Sequence, residues 1–137
     1  MYLLDTDTVI FNFKGHEAIR KNLLHCSNEP IKLCVITLME LYYGAYKSQK
    51  AASNLAKIKM LENSLDILPF GQESVEIFGM CKAGLEAKGT PLDDFDIALA
   101  ACALSNNLIL VTNNTKHFQR IAGLRITNWT EFPAVIK

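Results

Sequence analysis

Asp5, Glu40 and Asp96 are the side chains whose type and placement most suggest chemistry. Each stands where an apolar segment meets polar sequence. Asp5 closes the run Tyr2-Leu3-Leu4, Glu40 follows Leu33-Cys34-Val35-Ile36 and a threonine, and Asp96 opens the apolar stretch Ile97 to Leu104. A carboxylate beside a core is costly unless something positive neutralises it. No cation stands next to these three in sequence, so a shared divalent cation is the simplest remedy. Mg²⁺ or Mn²⁺ suits such a set, with oxygen ligands, roughly octahedral geometry and several waters retained. An ion held this way could lower the pKa of a water and polarise a phosphoryl oxygen. The trio therefore predicts a metal-dependent enzyme.

Each member also has a plainer use. An Asp in the first turn of a helix favours the helix dipole and can cap it. That accounts for Asp93 and Asp94 and serves equally well for Asp96. Asp7 is expected to cap the first helix, and Glu40, beside Leu41 and Tyr42, would suit a surface position. The functional reading rests on the set. Leu108-Ile-Leu-Val111 adds a further corner where it runs into Thr112-Asn113-Asn114. The Thr112 hydroxyl and the Asn114 amide could orient a metal-bound water or a phosphate oxygen. Asn113 reads as a turn residue bonding its own backbone.

The elements that must position these groups are legible as two alternating patterns. Apolar strand candidates recur at residues 2–5, 32–36, 66–69 and 108–112, with a further one near 124–127. Helical patterns fill the gaps. This predicts one α/β domain over residues 1–137, a small central parallel sheet flanked by helices in three layers. Gly15 ends a first helix, and residues 16–26 carry Ile19, Leu23 and Leu24 at helical spacing. Thr37 is expected to cap a helix running through Glu40 to about Tyr46. The next, from about Lys50 to Asn63, puts Leu55, Ile58 and Leu61 on one stripe. Gln72 to Lys88 follows, ended by Gly89 and Pro91. A helix starting at Asp93 or Asp94 is apolar nearly all round and should be the buried one. In such a sheet ligands gather where strands end and helices begin. Asp5, Glu40 and Asp96 are all expected there, the last two in the first turns of their helices.

Composition narrows the field. The chain has 137 residues, half of them hydrophobic, and a formal net charge of zero. It is long enough for a core and has no whole-molecule field drawing it to nucleic acid, so phosphate binding would need a local patch. Lys14, Lys47, Lys50, Lys57 and Lys59 are the candidates, though each would serve as well on a solvated helix face. The four cysteines form no Cys-x-x-Cys pair, and no run suggests a secretory signal or membrane span. Reduced thiols and a cytoplasmic setting are expected. His16, His25 and His117 lack zinc-ligand spacing, and Gly79, Gly84 and Gly89 match no phosphate-loop pattern.

Four segments in order, Met1 to Val9, Val35 to Gly44, Pro91 to Ala101 and Leu110 to Phe118, carry a family resemblance. With Leu4-Asp-Thr-Asp7, Leu38-Met-Glu-Leu41, Asp93-Asp-Phe-Asp96 and Val111-Thr-Asn-Asn114 at their centres, the chain resembles the PIN-domain ribonucleases, most closely the VapC-type toxins of bacterial toxin–antitoxin pairs. The resemblance spans essentially the whole chain. It implies Mg²⁺- or Mn²⁺-dependent hydrolysis of RNA, a structured loop such as the initiator tRNA anticodon loop as substrate, a cognate antitoxin, and a homodimer. Asp5, Glu40 and Asp96 match the three main acidic positions, with Asp5 and Asp96 as metal ligands and Thr112 as the hydroxyl of the last motif. Thr6, Asp93 and Asn114 would support them. Many relatives carry a fourth acid in the last motif, where this chain has Asn114 or His117. That departure predicts one ion, or a second recruited only with RNA. Tyr42, Tyr43 and Tyr46 are expected to divide between the core and a groove for antitoxin or a second copy.

Two alternatives are open at this point. Leu3-Leu-Asp-Thr-Asp-Thr-Val9 also suits a haloacid-dehalogenase-like phosphatase with Asp5 as nucleophile, but that family's last acidic pair should follow Thr112. An inert PIN-fold interaction module is the non-enzymatic alternative.

Overall fold

The computed structural model describes residues 1–137. Five strands, β1 (Tyr2–Leu4), β2 (Ile31–Cys34), β3 (Asp66–Leu68), β4 (Ile109–Val111) and β5 (Ile126–Thr127), form one parallel sheet in the order β3-β2-β1-β4-β5. The helices are α1 (Thr6–Phe13), α2 (Glu17–His25), α3 (Val35–Lys47), α4 (Ala51–Ser64), α5 (Gln72–Ala87), α6 (Asp94–Ser105) and the short α7 (Thr115–Phe118). Strand alternation sends side chains to two cores, as period-two geometry requires. Tyr2, Leu4, Leu33, Ile109 and Val111 pack with α1–α4 residues such as Val9, Ile19, Leu41 and Ile58. Leu3, Cys34 and Leu110 pack on the other face with Leu85, Ile97 and Cys102. The expected three-layer α/β fold is what forms.

α6 is the buried helix: Ile97 to Ala103 are all buried. α5 ends as its glycine predicts. Gly89 takes φ +70°, and the amides of Gly89 and Thr90 return to the carbonyls of Glu86 and Leu85.

Several local expectations are corrected. β2 feeds directly into α3, with Cys34 as the extended cap residue. Thr37 is therefore inside the helix, buried, with its hydroxyl donating to the Leu4 carbonyl at 3.4 Å. Glu40 consequently sits in the second turn, not the first. α1 is capped by Asp5, not Asp7: the Asp5 carboxylate accepts the Thr8 amide at 3.1 Å. Leu24 faces solvent.

Asn22 takes an inward position on α2. Its amide donates to the carbonyls of Ala18, Trp129 and Glu131 at 3.0, 3.1 and 2.8 Å, fastening the segment after β5 to the helical layer. Asn22→Ala should therefore cost about 2 kcal/mol of stability, because buried carbonyls lose their donor. Urea unfolding would measure it; a loss below about 0.5 kcal/mol would contradict this role.

Candidate active site

The sheet order reverses direction between β1 and β4, the switch point at which α/β sheets collect ligands. Pairing in register sets Leu4 beside Val111, so the next residues on each strand, Asp5 and Thr112, emerge together. The Asp5 amide donates to the Val111 carbonyl at 3.0 Å. The Thr112 hydroxyl donates to Asp5 Oδ2 at 2.6 Å, while Asp5 Oδ1 takes the Thr8 amide. Asp5 is buried, with 5% of its surface exposed. Burial pushes its carboxyl up to about 6, against the pull of the Thr112 and Thr8 hydrogen bonds and with a smaller push from Asp7.

Asp5, Thr6, Asp7, Glu40, Asp96, Leu99 and Asn114 line one cleft of ≈ 130 Å³. At about 30 Å³ per water, that is room for an ion with part of its hydration shell. Sequence residues from four distant segments converge here as expected. The Thr6 hydroxyl donates to Glu40 Oε1 at 2.7 Å, tying α3 to α1. Asp96 is half-buried, and its carboxyl is raised by burial first, then by the charges of Asp93 and Glu40; His117 pulls the other way. No lysine, arginine or histidine lines the cleft.

The donor set fits a hard divalent cation. It is all oxygen, it is anionic, and it opens to solvent. No three His, Cys, Asp or Glu side chains are grouped so that they alone could hold a metal ion. An ion here would depend on one or two carboxylates with water and substrate phosphate, the manner in which Mg²⁺ is usually held.

The structure redirects some of the expected residues. Thr112 is fully buried, and its Oγ1 also accepts the Asn114 amide at 3.0 Å. It thus aims Asp5 rather than a water or phosphate. Asp93 is exposed at the α6 N-terminus, outside the cleft lining, and acts on Asp96 by its charge. Asp94 pairs with Lys82 at 2.9 Å on the surface. Lys14 and Lys57 line a neighbouring groove with Ile10, Phe13, Gly44 and Asn54, and Glu40 is common to groove and cleft. Lys47 instead lies over the Tyr43 ring at 4.9 Å, and Lys50 precedes α4; neither lines the groove. Tyr42 is half-buried and bonds Glu62, whereas Tyr43 and Tyr46 are exposed. Sequence reasoning missed Asp7 as a member of the cleft and His117 as a neighbour of Asp96. Spacing could not find either, since α7 has only four residues and Asp7 resembles a cap.

A PIN domain model matches residues 2–124. The chain belongs to the PIN-domain family. Its relatives place it among the VapC-type members. The tRNA(fMet)-specific endonuclease VapC of Shigella flexneri is 36% identical over 94% of this chain and 98% of that protein. Ribonuclease VapC2 of Haemophilus influenzae is 39% identical over 93% of this chain and 97% of that one. The crystal structure of VapBC2 from Rickettsia felis, bound to a DNA fragment from their promoter, superposes with a TM-score of 0.88 at 32% identity, covering 93% of this chain and 98% of that one. The PIN assignment replaces the phosphatase alternative.

For a PIN-domain site the Thr112–Asp5 bond has a measurable consequence. Thr112→Val keeps the volume but removes the hydroxyl that aims Asp5; were Asp5 to hold a metal, loss of such an outer partner would typically cost about 10–100-fold in affinity or activity. Cleavage should fall by about that factor, and Thr112→Ser should retain most of it. Equal activity of the Val and wild-type chains would contradict the assignment.

Proposed function

We propose that this VapC-type PIN protein is a Mg²⁺- or Mn²⁺-dependent endoribonuclease toxin that hydrolyses phosphodiesters in a structured RNA loop and so inhibits translation. The anticodon loop of initiator tRNA is the first substrate to test, a choice supported by the name of the Shigella flexneri relative. The observation that carries the reading is the convergence of Asp5, Glu40 and Asp96 on one cleft with no lining cation.

Asp5 and Asp96 would hold the ion, which when bound stabilises charge on a phosphoryl oxygen and lowers the pKa of the attacking water. Thr112 keeps Asp5 aimed. Thr6 fixes Glu40 in the cleft lining, where its carboxylate would receive a proton from water approaching the phosphorus. Lys14 and Lys57 flank the adjoining groove and can meet RNA phosphates as the strand leaves the cleft.

The same groove, with the exposed Tyr43 and Tyr46 nearby, suits a cognate antitoxin that would cover the site. The VapBC2 assembly of the Rickettsia felis relative supports such a partner. A homodimer and a cytoplasmic setting complete the proposal; no helix is long and apolar enough to cross a membrane.

Incubating purified protein with initiator tRNA, with and without chelator, tests the reading. Cleavage should vanish on chelation and return with Mg²⁺ or Mn²⁺. Undiminished cleavage in chelator would overturn it.

A further inference from the structure

The cleft holds one carboxylate beyond the three that the sequence singled out. Asp7 lines it with Asp5, Glu40 and Asp96. The capping use expected of Asp7 is taken by Asp5, whose carboxylate accepts the Thr8 amide. The acids that do form ion pairs, Glu17, Glu29, Glu62, Asp66 and Asp94, all lie elsewhere. Asp7 has a neutral partner instead: Asn114 Nδ2 donates to Asp7 Oδ2 at 3.4 Å.

That partner is one of the two residues, with His117, at which the last motif lacks an acid. Ionised Asp at position 114 would offer Asp7 only acceptor oxygens and no hydrogen to donate. An amide there does the reverse. It donates to Asp7 Oδ2 and holds the carboxylate toward the cleft. Asn114 is itself held, because its backbone amide donates to Thr112 Oγ1, the same atom that aims Asp5. One buried hydroxyl thereby ties the positions of Asp5 and Asp7 together across β1, α1 and β4.

We propose that Asp7 is a fourth cation-holding carboxylate of this cleft, aimed by the Asn114 amide and standing in for the acid missing after β4. The inference rests on the metal-dependent reading above. The expectation of one ion, or of a second recruited only with RNA, was drawn from that missing acid, and a cation-holding Asp7 would supply the carboxylate it counts as absent.

The test is Mn²⁺ titration of the full-length chain by calorimetry, with thermal unfolding recorded for every variant. Asp7→Asn should weaken Mn²⁺ binding about tenfold or more. The exchange variant Asp7→Asn/Asn114→Asp, which returns a carboxylate to the same contact from the other side, should recover most of it. A surface control, Asp94→Asn, should bind as wild type does. Mn²⁺ binding unchanged in Asp7→Asn, whether or not the melting temperature falls, would overturn the proposal and leave Asp7 a helix-dipole residue. An exchange variant that folds but recovers nothing would overturn the pairing with Asn114. A wild-type chain that binds no Mn²⁺ would overturn the metal reading itself, a result distinct from either.

Discussion

Replacing Asp5 by Asn is expected to lower RNA cleavage by about a thousandfold or more, in a chain that remains folded. Asn has nearly the same shape and can still accept the Thr8 amide as a helix cap; it removes the charge and sets an NH2 donor where Oδ2 accepts the Thr112 hydroxyl. Charge stabilisation by a bound ion is worth several kcal/mol, and about 4 kcal/mol corresponds to about a thousandfold in rate. Steady-state kcat/KM on a tRNA substrate in Mg²⁺ measures the loss. Asp94→Asn is the control, since Asp94 lies outside the cleft and bonds Lys82 on the surface. Activity of Asp5→Asn within tenfold of wild type would contradict the role given to this carboxylate.

The second large effect is on stability, and it has the opposite sign. In the metal-free chain burial raises Asp5 from 3.8 to about 6. The folded state therefore holds that proton more tightly than the unfolded chain does. The stability this contributes is fully present below pH 3.8 and is lost as pH rises through about 6. A difference of two pKa units corresponds to about 3 kcal/mol. Metal-free wild type should weaken by up to that amount between about pH 4 and pH 7, while Asp5→Asn should not share this loss. At pH 8 the variant should be the more stable of the two, and added Mn²⁺ should raise the wild type alone, through binding to the folded state. Chemical unfolding across that pH range, in chelator and again with Mn²⁺ in its place, measures both. A wild type that loses no stability relative to Asp5→Asn over the same interval would contradict the assignment.

These two effects have a common origin in how the fold uses charge. The end of β1 carries a carboxylate into a buried position at the switch point, where desolvation is the largest influence on it. Thr112 and the Thr8 amide offset part of that cost without removing it. The site is thus an anionic hole that the fold maintains at its own expense, and under the proposed function a divalent cation would relieve it.

Most of this architecture was legible in the residues. Five apolar runs identified the strands, and the all-round apolarity of Ile97 to Leu104 identified the buried helix. Both signals depend on local pattern, which survives folding unchanged. The convergence of Asp5, Glu40 and Asp96 was legible too, because a parallel sheet brings strand ends to one side. Register and capping were not. Which of Asp5 and Asp7 caps α1 depends on where the chain leaves β1, and that is set by the bond from the Asp5 amide to Val111. Thr37 looked like a cap because its hydroxyl type favours one; β2 runs into α3 without a loop, and Thr37 is swallowed by the helix. Thr112 looked like a group facing substrate. It turns inward because the pairing of Leu4 with Val111 leaves Asp5 as its neighbour. The lysines were the least legible, since exposure alone does not say which face a cation occupies: Lys14 reaches the groove and Lys47 folds over Tyr43.

The chemistry of the cut ends tests the central claim most directly. Water attacking phosphorus in a metal-dependent site, with the 3′ oxygen departing, leaves a 5′-phosphate and a 3′-hydroxyl. Attack by the RNA's own 2′-hydroxyl leaves a 2′,3′-cyclic phosphate and needs no metal. Initiator tRNA cleaved by the purified chain in Mg²⁺ should yield fragments bearing 5′-phosphate and 3′-hydroxyl ends, with no cleavage in chelator. Cyclic phosphate ends formed in the presence of chelator would contradict the account.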